Sequence, residues 1–117
     1  MPSKNAEKIY LLLKEAFPFS KIQLELYVNY KRQKLYVDFF ISDYNLAIEV
    51  HGEQHDMFVP HFHGDAQGWA LHKRRDNMKL EWADANGIRL VVIREKHMPN
   101  SKEELLNMIW REGYDRH

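Results

Sequence analysis

Residues 35–55 read LYVDFFISDYNLAIEVHGEQH, and this stretch decides the fold. Two apolar runs, residues 35–41 and 46–50, flank a polar tetrad, Ser42, Asp43, Tyr44 and Asn45. That is the pattern of two adjacent strands joined by a turn. Each run contains one carboxylate, Asp38 in the first and Glu49 in the second. A carboxylate inside such a run costs several kcal/mol unless something compensates it. Two of them on strands that can pair predict a shared divalent cation. His51 follows at once, then Gly52 and His55.

Upstream, residues 22–30 alternate, with Ile22, Leu24, Leu26 and Val28 set against Gln23, Glu25, Tyr27 and Asn29. This predicts a half-buried strand with those four apolar residues on one face. The basic turn Lys31-Arg32-Gln33-Lys34 links it to the central pair, giving a three-stranded antiparallel meander. Before it, Ile9, Leu12, Leu13, Ala16 and Phe17 fall at helical spacing, so residues 6–17 predict a helix. Ser3 or Asn5 can cap it, and Pro18 ends it. Glu7 sits at the margin of the apolar stripe. It either looks into a cleft or is an acidic first-turn residue favoured by the helix dipole.

Downstream, residues 51–68 are irregular and hold five of the chain's seven histidines together with residue 72, among them His55, His61 and His63. A second helix is predicted from Gln67 or Trp69 to Asn86, with Trp69, Leu71, Met78, Trp82 and Ala85 as its apolar set and Asn86-Gly87 as its stop. Residues 88–93 (IRLVVI) then predict an interior strand, because a short apolar run follows a helix. Ser101-Lys102-Glu103-Glu104 is a capping box opening a last helix that shows Leu105, Leu106, Ile109 and Trp110 on its face. The order is α-β-β-β-α-β-α: an α/β chain with a mixed four-stranded sheet flanked by helices, one domain over residues 1–117.

With 117 residues and 44% hydrophobic content the chain can build a core. It has no cysteine, which excludes disulfides and thiolate zinc sites. No run approaches a membrane span, and residues 1–5 lack a secretory apolar segment, so the expectation is a soluble cytoplasmic protein with no membrane partner. Seventeen basic and seventeen acidic residues balance. Bulk charge therefore does not drive nucleic-acid binding, but a local basic face can.

In the expected hairpin Asp38, Glu49 and the carbonyl of Val50 form an oxygen donor set suited to magnesium. His51 shares the face of Glu49 and can take a proton from an attacking water or bond the phosphate. Asp76 is either part of this site or an intrahelical partner of Lys73 or Lys79. A phosphate track of Lys31, Arg32, Lys34, Lys73, Arg74 and Arg75 lies in the turn and the second helix, with Lys73 and His55 as further site candidates.

These residues resemble the PD-(D/E)XK nucleases, with Val37-Asp38 as the first dyad, Glu49-Val50-His51 as the second, and His51 where the pattern has lysine. Within that group the chain is most similar to the very-short-patch repair endonucleases and the E-D-x-H-D homing endonucleases. The positions that match are Glu7, Asp38, Val50, His51-Gly52 and Arg75-Asp76, over residues 6–96. Glu49 departs from the repair enzymes, which carry an apolar residue there, and their structural zinc site has no cysteines here. The resemblance implies a restriction-endonuclease-like fold and magnesium-dependent hydrolysis of double-stranded DNA, with manganese able to substitute. Asp38, Glu49 and Val50 would hold the metal, His51 would activate or orient the water, and Glu7 and Asp76 would orient His51 or water. One site nicks one strand, so double-strand cutting would require a homodimer. Two alternatives stay open: an inactive DNA-binding protein on this scaffold, and a transition-metal hydrolase using His51, His55, His61 and His63.

Overall fold

The computed structural model describes residues 3–52 and 66–111. His55, His61 and His63 lie outside them. The elements are α1 (Lys4–Ala16), β1 (Gln23–Tyr30), β2 (Gln33–Ile41), β3 (Leu46–His51), α2 (Ala66–Ala85), β4 (Arg89–Arg94) and α3 (Lys102–Trp110). This is the expected α/β order, and it is compatible with a restriction-endonuclease-like fold. None of the described helices is long and apolar enough to cross a membrane.

The caps act as their sequences require. The Ser3 hydroxyl accepts from the Ala6 N–H at 3.1 Å, and the Ser101 hydroxyl accepts from the Glu104 N–H at 3.2 Å. The tetrad after β2 winds into a single 3-10 turn, Ser42–Tyr44, closed by Asn45 at φ +48°. Asparagine tolerates that left-handed conformation better than most residues.

The sheet order is β1-β2-β3-β4. The first three strands are antiparallel neighbours, and β4 runs parallel to β3 with α2 as the crossover. The expected interior place of the IRLVVI strand is therefore corrected: among the described residues β4 is the edge next to β3. Its apolar run has another cause. Val91 and Ile93 pack toward α1 and α3, while Leu90 packs toward α2, so both of its faces are covered.

Two cores result. On one face Ile9, Leu12 and Leu13 of α1, Phe17 just after it, and Leu105 and Ile109 of α3 meet Phe39, Ile41, Leu46 and Ile48 of the sheet. On the other face Trp82 and Ala83 of α2 meet Val37, Ala47 and Leu90. The predicted apolar set of α2 holds only at Met78 and Trp82. Met78 and Trp82 are buried, whereas Leu71 and Ala85 are exposed. On α3, Trp110 is likewise exposed, edge-on to Tyr44 at 6.2 Å.

One irregularity sets up the site. Glu25 of β1 has φ +48°, and the register of β1 on β2 skips Glu25 and Asp38 between Leu24↔Phe39 and Leu26↔Val37. Residues two apart normally share a face. Here Phe39 joins the α1 core and Val37 the α2 core, and Leu26 packs toward α2 while Leu24 is 52% exposed on the other side. Both strands thus change face at this point, which corrects the uniform alternation expected for residues 22–30.

Candidate active site at the parting of two strands

The β2–β3 ladder runs through Ile41↔Leu46, Phe40↔Ala47 and Phe39↔Ile48. The next step of that register sets Asp38 against Glu49. There the backbone pairing gives way to two crossed side-chain bonds. Glu49 Oε2 accepts from the Asp38 N–H at 2.8 Å, and Asp38 Oδ2 accepts from the Val50 N–H at 2.8 Å. Each carboxylate thereby takes a backbone donor of the opposite strand, as buried donors require. Register and crossed bonds bring the two acids of the expected shared site together, but they open to opposite faces of the sheet.

Their outer sides differ. Glu49 follows Ala47 on the α2 face and is buried. It lines a cavity of about 90 Å³ with His51, Lys73, Asp76, Lys79 and Arg94. Asp38 and Val50 line a second cavity, of about 410 Å³, on the α1 face with Glu7, Glu25 and Tyr10. Glu7 therefore stands with Asp38 and away from His51, so the expectation that it orients His51 does not describe this arrangement.

What compensates Glu49 is a side chain that the sequence argument did not single out for the site. Lys79 of α2 donates to Glu49 Oε1 at 2.6 Å. The imidazole of His51 places Nε2 3.5 Å from the same oxygen. Burial alone pushes the Glu49 carboxyl upward. The His51 imidazole, the charge and hydrogen bond of Lys79 and the Asp38 N–H outweigh it, and the net pKa lies below the ordinary 4.5. Lys79 was visible only as a helical neighbour of Asp76. The available signal was its place one turn before Trp82 and next to Met78, in the buried stretch of α2.

Asp76 lines the Glu49 cavity, and its Oδ2 lies 3.8 Å from Nε2 of His72. Lys73 lines the same cavity and rests 4.8 Å over the Trp69 ring. Lys34 and Arg75 line a third cavity, of about 350 Å³, together with Tyr36, His72, Asp76 and Lys79. Arg32 and Arg74 are exposed, and Lys31 of the hairpin turn pairs with Glu81 of α2. The expected basic track is thus gathered in part: Lys34, Lys73 and Arg75 border the site, and the others do not.

The oxygen-only donors at the parting suit magnesium in kind. Among the described residues no three His, Asp or Glu side chains converge as a metal cluster. The Lys79 ammonium already holds the Glu49 oxygen that an ion would take. Asp38, Glu49 and the Val50 carbonyl are donors of the right kind, with Glu49 Oε1 held by Lys79 and the two carboxylates opening to different cavities.

No family model matches the chain, and no solved structure matches it. The chain is similar to "Uncharacterized protein 307L" of Invertebrate iridescent virus 6, 29% identical over 59 residues. The match covers 50% of this chain and 30% of that protein's length.

Proposed function

We propose that this chain is a magnesium-dependent endonuclease that hydrolyses phosphodiester bonds of DNA. The observation that carries the reading is the crossed pair of bonds at the strand parting, which fixes Asp38 and Glu49 side by side beside Val50. A sheet that only needed to pair would continue its ladder there. Two carboxylates in place of ladder bonds support a site there.

Asp38, Glu49 and the Val50 carbonyl would hold magnesium, which when bound supplies charge neutralisation at the phosphate and a more acidic water. The remaining work belongs to side chains. Lys79, released from Glu49, and Lys73 beside it would bind phosphate oxygens. His51, held against Glu49, would take the proton of the attacking water at its imidazole. Asp76 would keep the neighbouring cations oriented.

One observation favours a second reading, an inactive DNA-binding protein: Lys79 satisfies Glu49 without any ion. Nicking of supercoiled plasmid with magnesium separates the two. The expected result is nicking by the natural chain and loss of it to background in Asp38→Asn, with the melting curve retained. Equal behaviour of both proteins would leave the binding reading.

A further inference from the structure

On the α2 side of the sheet the two parallel strands change character together. The row of β3 that faces the helix runs Ala47, Glu49, His51, and the matching row of β4 runs Leu90, Val92, Arg94. Their register sets Ala47 beside Leu90, Glu49 beside Val92 and His51 beside Arg94. The first of these rungs lies where Trp82 and Ala83 of α2 dock. The last stands at the carboxyl ends of both strands, where α2 brings Lys73, Asp76 and Asn77 to the same cavity. The carboxyl ends of parallel strands are where open α/β sheets take their ligands. Three cations, Lys73, Lys79 and Arg94, meet two carboxylates, Glu49 and Asp76, in this cavity. Lys79 is engaged by Glu49 at 2.6 Å. Lys73 and Arg94 then face Asp76, which leaves an excess of positive charge. Two like charges in a sheltered cleft repel unless an anion lies between them. Arg94 is half-buried, and the planar guanidinium fork, weakly hydrated, suits two oxygens of one phosphate.

We propose that Arg94, with Lys73 across the cavity, binds a backbone phosphate of the DNA at the carboxyl ends of β3 and β4, next to His51. The strand to be cut then runs along the α2 face of the sheet. This rests on the nuclease reading for the identity of the phosphate, but the binding needs neither metal nor turnover.

The test is binding of a labelled DNA duplex, by fluorescence anisotropy in chelator over a range of salt. Arg94→Gln should weaken binding roughly tenfold at low salt and lower the slope of log affinity on log salt by about one. Arg94→Lys keeps the charge and loses the fork, so it should keep the slope and bind several-fold more weakly than the natural chain. Lys73→Gln, on the opposite wall, should lower the slope as Arg94→Gln does. Thermal melts establish that each variant is folded, and if Arg94→Gln is not, Lys73→Gln decides the slope in its place. An unchanged slope, or Arg94→Lys binding as tightly as the natural chain, overturns the proposal. Binding that depends on Arg94 in a protein that nicks nothing with magnesium sinks the nuclease reading alone. A nuclease whose binding ignores Arg94 sinks this one alone.

Discussion

Two lysine–glutamate pairs of the same chemistry link helix α2 to the sheet and its hairpin turn in different surroundings. Lys31 of the hairpin turn meets Glu81 of the helix at 3.0 Å, with side chains 64% and 52% exposed. Lys79, two residues earlier on the helix, meets Glu49 of β3 at 2.6 Å, with side chains 15% and 3% exposed. In water each ion of the outer pair keeps most of its hydration, and its partner adds little. The inner pair has lost that hydration, so each ion depends on the other. The difference is between a pair that decorates the fold and one that the fold is built around. It also explains why a functional site is sought at Glu49 and not at Glu81.

The largest expected effect comes from breaking the inner pair on one side. Lys79→Met keeps the stem of the side chain but leaves Glu49 buried without its cation, and should lower the unfolding free energy by about 3–5 kcal/mol in urea denaturation. Removing both charges tells more. Lys79→Met with Glu49→Leu should recover most of that loss, since a buried pair replaced by apolar groups is commonly neutral or stabilising. The recovered protein should still fail to nick DNA. A double variant as unstable as the single one would show that the pair is not what the strand parting depends on.

The next effect is in the pH dependence. Glu49 in the folded chain has its pKa below 4.5, so the unfolded chain takes up the proton first as pH falls. The stability it contributes is complete above about 4.5 and is lost as pH drops through the folded value. The stability of the natural protein should therefore fall off more steeply in acid than that of Glu49→Gln. In Lys79→Met the order of forces reverses. Burial, the largest influence on Glu49, then has less to oppose it and pushes the carboxyl up. That variant should recover part of its deficit on acidification, because protonation relieves the buried charge. Parallel pH curves for wild type and Lys79→Met would contradict the assignment of Lys79 as the compensating cation.

How much of this was legible follows from which interactions are local. The helix α1 stripe, the N-cap at Ser3, the capping box at Ser101 and the eleven-residue separation of Asp38 and Glu49 are written in short spacings, and they appear as expected. Lys79 is different. The first half of α2 carries Lys73, Arg74 and Arg75, and which cation of such a helix turns inward is set by how Trp82 and Ala83 dock on the sheet. That is a contact across 30 or more residues of sequence, and no local period encodes it. The change of face at Glu25 and Asp38 was hidden for a similar reason. Alternation assumes a regular pleat, and the φ of +48° at Glu25 breaks it without any glycine to announce the break. The two-residue turn Lys31-Arg32, with φ of +49° and +65°, is also without glycine, so its tightness could not be read from residue type.

The smallest expected effect completes the contrast. Glu81, first through its hydrogen bond and then through its charge, raises the pKa of Lys31 above its ordinary 10.5. A raised lysine pKa favours the folded chain at every pH below the ordinary value, but here the group is fully in solvent, and water and salt screen the attraction. Lys31→Ala should therefore leave the urea midpoint where it was, at low and at high salt alike. The hairpin turn keeps its place because Tyr30↔Gln33 pairing closes it without the ammonium. A clear loss of stability in Lys31→Ala would mean that the outer pair also anchors α2. Burial would then no longer be what separates the two pairs.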